Sequence, residues 1–492
     1  MSQQAAVLVT LIAYKVVLIG IGVWAQRRIR DEDDFFVGGR GVGGVVSGLS
    51  YAASTSSAWV LLGYSGFVYA VGVSALWMLP GTWAGYIVMW AVVAPRLSEE
   101  ARAKRQVTLT DFLTDGLGES GKRALALLST ALILLCFVFY IAAQFDAAAK
   151  AFADQFGMGW AEAVLLGAAI IVIYALMGGF WAVSVTDTLQ GLVMVFVAVG
   201  LPLIAVIAAG GPSGIAEALR NAPEGYLSAS GGRGLFALLG FILGVASIGL
   251  GTFGQPHLHA RLMSLKDERA RRLGFAMAIG WGVLVFLGMA ALALAGRALT
   301  GGALVDGEVL FYRVAADVLP AVLAGIVIAA VLSAVMSTVD SILLSAAAAV
   351  AHDLGYTRRH PKRALLISRG VMVGIAAFAV ILTLTLPDTI FNRVLFAWSA
   401  LGAAFGPLMF ARIAGRRPDA LRSGLAVASG FLVTVFFYAM GTLEGEGWLI
   451  ALGHLDGDPF ERFVPWILPL LFVFVPLPSR AARVTRPARE AR

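Results

Sequence analysis

Apolar residues run along this chain in long blocks separated by short polar connections, a pattern that neither an amphipathic surface helix nor an alternating strand produces. A hydrocarbon core of about 30 Å needs on the order of 20 apolar residues of helix, and the blocks are long enough to supply them. Thirteen can be placed, at 6–25, 42–63, 68–94, 123–146, 160–178, 188–209, 234–255, 274–296, 318–349, 366–386, 392–411, 423–441 and 464–479. The pattern predicts an all-α integral membrane protein forming a single membrane domain over 1–492, because the connections are too short to hold a core of their own. The first block lacks a basic start and a small-residue cleavage site and is followed by Arg27, Arg28 and Arg30, so it is expected to be retained as a helix.

Two blocks carry signs of interruption. In 42–63 the run from Ser50 to Trp59 holds Ser50, Ser54, Thr55, Ser56 and Ser57 at the expected mid-depth of the membrane. In 234–255 the run Gly249-Leu250-Gly251-Thr252-Phe253-Gly254-Gln255-Pro256 gathers glycines ahead of a proline. Serines can bond back to a carbonyl one turn earlier and glycines can simply pack, so either run alone has an ordinary explanation. Their positions add more: with the first block set aside, they open successive five-block units, 42–209 and 234–411, followed by two further blocks over 423–479. Broken helices at corresponding positions of two halves point to a secondary transporter with inverted repeats and a central site. Unwound backbone at that depth must line a cavity or be buried in protein, and its carbonyls then become ligands for a hard cation.

A third segment, 331–345, places Ala334, Ser337, Thr338 and Ser341 at helical spacings of three and four, with Asp340 on the flank of that face. Such an oxygen-rich patch on an apolar helix suits a hard cation. Asp146, Asp187 and Asp340 fall inside or at the edge of blocks, where a charge is a functional candidate. For Asp146 an interfacial role bonded to backbone is the competing account, and for Asp187 an N-cap of the following helix. The 97–121 segment, with Leu109, Phe112 and Leu113, reads as a short amphipathic cytoplasmic helix covering the surface.

Charge sets the orientation. Of the 37 Lys and Arg, 29 fall in connections assigned to the cytoplasm, seven in outer ones, and Lys15 within a block, which places the N-terminus outside and the C-terminus in the cytoplasm. The net charge of +7 is explained by this asymmetry rather than by nucleic-acid binding. Hydrophobic residues make up 59% of the chain, far above soluble domains at about 45–50%. A single cysteine, Cys136, leaves no intramolecular disulfide or cysteine-based metal cluster, and His257 and His259 lack a third partner for a metal. No nucleotide-binding Gly-Lys-Ser/Thr run and no nucleophile arrangement is present, so no enzyme activity or cofactor is expected and the energy would come from an ion gradient.

Several motifs occur together and in order: Asp33-Asp34-Phe35-Phe36-Val37-Gly38-Gly39-Arg40; Ala53-Ser54-x-x-Ser57-x-Trp59; Gly178-Gly179-Phe180-x-Ala182-Val183-Ser184-x-Thr186-Asp187-Thr188; the 249–257 run; Ala334-Val335-Met336-Ser337-Thr338; and Gly402-Ala403-Ala404-Phe405-Gly406-Pro407. In these the chain resembles the sodium:solute symporter family, and within it the sodium/proline branch. The resemblance implies a leucine-transporter-like fold of two inverted five-helix repeats, and a sodium site formed by carbonyls of Ala53, Ser56 and Ala334 with the hydroxyls of Ser337 and Thr338. It implies a second sodium site or exit route at Asp187, Asp340 and Ser341, a solute pocket with Ser57, Trp59, Tyr140 and Thr252, and an ion-coupling role for Arg40. The chain departs from the proline branch at Thr55, where that branch has Asp, and at Ile248 and Thr252, where it has Trp and Tyr.

The expected function is sodium-coupled import of a small polar solute by alternating access in the cell membrane, with sodium as co-substrate and no obligatory protein partner evident. Proline or a related amino acid is the first solute class and a monocarboxylate or sugar acid the second. A transporter-like sensor of a signalling system is the reading from a different class, and it would call for a long output region beyond the last block.

Overall fold

The computed structural model describes residues 32–475 apart from 177–178, 360–362 and 387, together with scattered positions between Val9 and Trp24. The expected helix 6–25 and the arginine-rich tail therefore lie largely outside the described residues. Among those described, ten helices are long and apolar enough to cross a membrane, and an eleventh, Trp160–Ala175, is shorter. In chain order we number them α1 (Gly44–Val71), α2 (Val73–Lys104), α3 (Glu119–Phe156), α4 (Trp160–Ala175), α5 (Phe180–Ala208), α6 (Leu235–Gly254), α7 (Glu268–Thr300), α8 (Ala321–Ala351), α9 (Ala364–Thr385), α10 (Ile390–Ile413) and α11 (Ala420–Thr442). The last block yields only a short helix, Ile467–Phe474.

Burial sorts these helices into a centre and a periphery. In the most apolar stretches of α1, α8 and α10, 89%, 83% and 94% of residues are enclosed by protein, against 28% in α9 and α11. The peripheral helices expose Phe196, Leu366, Phe378 and Leu432, side chains that only a lipid environment accommodates in such number. α1 packs against α5, α7 and α8, while α3 and the last turns of α6 pack against α10.

Both expected interruptions are present. α1 is helical to Ala58 except at Ser57 (φ 41°, ψ −166°), and beyond it a wide π-type turn covers Trp59–Tyr64. α6 tightens into a 3₁₀ stretch over Ser247–Gly254, becomes extended at Gln255, and resumes as the helix Pro256–Met263. Glycine is what lets neighbours reach this stretch: a Cβ on Gly249 would lie 1.9 Å from the Gly81 carbonyl oxygen, and one on Gly254 would lie 1.9 Å from that of Leu401.

The 97–121 segment is a hairpin rather than one helix. α2 ends at Lys104, Arg105 adopts a left-handed conformation, and a six-residue helix, Leu109–Thr114, buries Leu109, Phe112 and Leu113 against the bundle.

Candidate functional site

The break in α1 leaves backbone groups without helical partners, and side chains take them up. The Ala58 N–H donates to Gln144 Oε1 of α3 at 3.2 Å, and the Trp59 N–H donates to Ser57 Oγ at 3.2 Å. The Trp59 indole N–H donates to the Thr55 carbonyl at 3.0 Å. Ser57 owes its positive φ to no glycine, and such strain in a buried non-glycine residue persists only where the surroundings hold it.

Just inward of that break, α1 meets α8. Thr338 Oγ1 points at the Ser54 carbonyl at 3.5 Å, Ser54 Oγ donates to the Ser337 carbonyl at 3.2 Å, and Ser337 Oγ donates to the Ala334 carbonyl at 3.0 Å. Ala53, Ser56, Ala334, Ser337 and Thr338 are all fully buried, and Ser56 Oγ has no hydrogen-bond partner among the described residues. The nearest recorded α1 carbonyl is thus that of Ser54, between the expected ligands Ala53 and Ser56.

The same face gathers charge. Asp187 Oδ2 accepts from Ser50 Oγ at 2.7 Å and from Ser54 Oγ at 3.2 Å, and Ser341 Oγ lies 3.5 Å away. Arg261 reaches into this group from the helix after the α6 break, with Nη2 at 2.6 Å from Asp187, 2.7 Å from Ser54 Oγ and 2.5 Å from Ser341 Oγ. Its Nε donates to Ser50 Oγ at 2.8 Å and its Nη1 to the His257 carbonyl at 2.6 Å. Asp340 is buried, lies within electrostatic reach of Asp187 and Arg261, and has the Ser341 N–H and hydroxyl beside its carboxyl group. Two carboxylates face one guanidinium here. When both are ionised, the cluster carries one uncompensated negative charge inside the protein.

Outward of the α1 break lies an aromatic wall. Trp59 packs on Phe286, Phe391 and Trp398 at centroid distances of 5.7, 6.5 and 6.2 Å, and Tyr140 stands edge-on to His257 at 6.3 Å. Tyr51 and Thr252 share a hydrogen bond of 3.0 Å. Gln144 Nε2 and both His257 nitrogens are buried without hydrogen-bond partners among the described residues, and beside them the Tyr140 hydroxyl faces Ser57 and the Trp398 indole N–H. Buried polar groups are ordinarily paired, so such a group of orphans marks a place where a polar ligand fits.

Arg40 stands apart. It closes the 3₁₀ turn Gly38–Arg40 and donates to the Gln106 carbonyl at 2.9 Å, tying the segment before α1 to the hairpin.

The sodium:solute symporter family model matches residues 35–418. The chain belongs to that family. Among similar proteins, the sodium/proline symporter of Escherichia coli (strain K12) is 31% identical over 421 residues, covering 83% of each chain. An osmoregulated proline transporter of Bacillus subtilis (strain 168) is 30% identical over 453 residues, covering 90% of each. Among solved structures, a sodium-coupled sialic acid symporter in a substrate-bound outward-open state superposes with TM-score 0.75 at 17% identity, covering 96% of each chain. A nucleobase–cation symport family transporter does so with TM-score 0.54 at 14% identity, covering 90% of this chain and 94% of that one. The fold is the leucine-transporter-like one that the motifs implied, and this symporter is a sodium-coupled membrane transporter rather than an enzyme.

Two sequence readings are corrected within the symporter. Asp187 is no N-cap: α5 begins at Phe180, and the carboxylate lies two turns in, paired with Arg261. Asp146 is not simply bonded to backbone, since it pairs with Arg393 at 3.3 Å and lies 3.8 Å from Lys150. Arg261 was missed, having been counted with the cytoplasmic connection. The available signal was chemical: two carboxylates within spans call for a cation, and Arg261 follows the α6 break by a few residues.

Proposed function

We propose that this symporter imports L-proline or a closely related amino acid together with sodium, and that the ion binds where broken α1 meets α8. The observation that carries the reading is the buried cluster of two carboxyl groups, Asp187 and Asp340, with one guanidinium, Arg261, which leaves one negative charge uncompensated when both carboxyls are ionised, beside Ser54, Ser337, Thr338 and Ser341. A monovalent cation neutralises that charge and takes only oxygen ligands, which is what these side chains and the freed carbonyls offer. Ala53, Ser56, Ala334, Ser337 and Thr338 form the main site in this reading, and Asp187, Asp340 and Ser341 form a second site or the exit route.

Sodium there joins α1 to α8, and the solute binds outward of it against Ser57, Trp59, Tyr140 and Thr252. Because the α1 break serves both, filling one site orders backbone used by the other, which is the basis of coupling. The 42–209 and 234–411 units rock about this point as inverted repeats, with the N-terminus outside and the C-terminus in the cytoplasm. Arg40, anchoring the entry to α1 on the hairpin, links inner closure to the ion site. Each sodium moved inward gains about 2.3 kcal/mol per 100 mV of membrane potential.

Support for the amino-acid class comes from the names of the two bacterial relatives and from the orphaned polar groups around Tyr140 and His257. The loss of two aromatics at Ile248 and Thr252 widens the choice to close relatives of proline. The test is counterflow in proteoliposomes with labelled amino acids and monocarboxylates, in sodium or potassium. Sodium-dependent exchange of proline or a neighbour is expected, and exchange that is indifferent to sodium removes the reading.

A further inference from the structure

On the face assigned to the outside, the ends of α9 and α11, the start of α10 and the short helix Pro459–Arg462 enclose a cavity of about 610 Å³. That volume lies within the range of about 300–1,000 Å³ common for small-molecule sites. It shares no lining residue with the sodium and solute sites described above. Part of its wall is apolar, formed by Phe139, Leu382 and Leu386, and five ionisable side chains line the rest: Asp388, Arg393, Asp458, Glu461 and Arg462.

Their pairing is incomplete in an informative way. Arg393 is engaged by Asp146 at 3.3 Å and donates to the Leu386 carbonyl. Arg462 is engaged by Asp458 at 2.5 Å and donates to the Gly457 carbonyl at 3.2 Å. With both arginines committed, Asp388 and Glu461 form no direct salt bridge among the described residues, and Arg462 acts on Glu461 only through its nearby charge. Asp388 accepts from the Tyr438 hydroxyl at 3.1 Å, from Asn392 Nδ2 at 3.2 Å and from the Thr389 N–H at 2.7 Å. The two carboxylates sense one another, and burial pushes Glu461 up to about 8. Conversely Arg462, only 4% exposed, keeps its Nε–H without an acceptor. The cavity therefore presents two unmet demands: a cationic donor for a pair of carboxyl groups, Asp388 and Glu461, that ionise together only when a cation is beside them, and an oxygen acceptor for a buried guanidinium.

We propose that this outer cavity binds a small zwitterion, with its ammonium at Asp388 and Glu461 and its anionic oxygen at Arg462 Nε. The assignment goes beyond the transport reaction and stands independently of which solute is carried. Two sources offer this chemistry. One is a free zwitterion from the outer solution, and the other is the aminoethyl-phosphate headgroup of a phosphatidylethanolamine, which sits at the depth of the ends of α9 and α11.

The experiment uses the purified full-length chain. One arm titrates free O-phosphoethanolamine calorimetrically in detergent, and the other measures by native mass spectrometry the retention of phosphatidylethanolamine against phosphatidylglycerol. At least one arm should show one bound equivalent, and Glu461→Gln and Asp388→Asn should each weaken it about tenfold or more, as loss of a charge-assisted bond implies. Binding in the free arm identifies a soluble ligand, and selective retention in the lipid arm identifies the headgroup. Sodium-dependent counterflow by both variants serves as the control for folding. Failure of the wild-type chain to bind in either arm, or binding by well-folded variants as tight as wild type, overturns the proposal.

Discussion

Arg261 Nη2 stands 2.6 Å from Asp187 Oδ2, and the two side chains are 2% and 0% exposed. The pair joins the helix Pro256–Met263 to α5, and the guanidinium also grips Ser50, Ser54 and Ser341, which belong to α1 and α8. Four core helices thus meet at one buried charge. An ion arriving at Ser54 and Ser341 must compete with Arg261 for the same oxygens, so binding of sodium there and loosening of these Arg261 contacts go together.

A buried pair is costly to break from one side, since the remaining charge is left uncompensated, by about 3–5 kcal/mol. Asp187→Asn and Arg261→Gln should each lower the thermal midpoint of the purified protein clearly. In the double variant both members of the pair are gone and the cluster returns to its starting net charge, so the loss should be well short of the sum of the two. Thermal unfolding of the four proteins provides the cycle, and strict additivity would show that the pair is not a unit.

Thr338→Ala deletes a hydroxyl aimed across the α1–α8 seam at the Ser54 carbonyl, and Ser337→Ala one on the residue whose carbonyl accepts from Ser54, whereas the Ser333 hydroxyl, like that of Ser337, bonds back within α8 but lies one turn away from that contact. The first two should raise the sodium concentration for half-maximal uptake by about tenfold or more, on the scale of one lost ligand, with Ser333→Ala near wild type. Initial uptake rates at graded sodium decide this. Equal shifts at all three positions would detach the seam from ion binding.

Gln144 supplies the acceptor for the Ala58 N–H exposed by the α1 break. Gln144→Leu keeps the bulk but strands that N–H in a dry interior, at a cost of about 1–3 kcal/mol. Gln144→Glu keeps an acceptor there. A lower midpoint for the leucine variant, partly recovered in the glutamate one, is expected in thermal unfolding, and no loss with leucine would mean that the break is satisfied by other means.

Much of this was legible in the chain because the relevant physics is local. Block length gives spans, a glycine run before Pro256 gives the α6 break, and Ser337 and Thr338 share a helical face by spacing alone. The α1 break was legible only as a hydroxyl-rich run, because Ser57 carries no glycine or proline signature. What stayed hidden was non-local. Counting Arg261 among loop cations assumed that residues after a span leave the protein, whereas the helix Pro256–Met263 turns back into the bundle and buries all of its residues but Ala260. Nor can spacing reveal that Asp146 meets Arg393, which lies 247 residues away.

The hairpin over 97–121 should respond to pH. It is held by Thr108 Oγ1 donating to Asp353 at 2.7 Å and by Asp111 with His352 Nε2 at 2.8 Å. Burial, reinforced by the nearby charge of Asp111, pushes Asp353 up to about 7 against His352 and Thr108, which act to lower it. Burial acts to raise Asp111 as well, but the hydrogen bond and charge of His352, the Val107 N–H and Lys122 pull it below the usual carboxylate range. A carboxyl raised in the folded state binds its proton more tightly there than in the unfolded chain. Its contribution is therefore most favourable below the unfolded value of about 3.9 and is lost as pH rises through about 7. Asp111 acts oppositely, but its window lies below about 4, so between pH 5 and 8 the Asp353 trend dominates. Hydrogen–deuterium exchange of residues 107–114, corrected for the intrinsic pH dependence of exchange, should show more opening at pH 8 than at pH 6. Asp353→Asn, which cannot ionise yet still accepts from Thr108, should flatten that difference. An unchanged slope in this variant would place the pH response elsewhere.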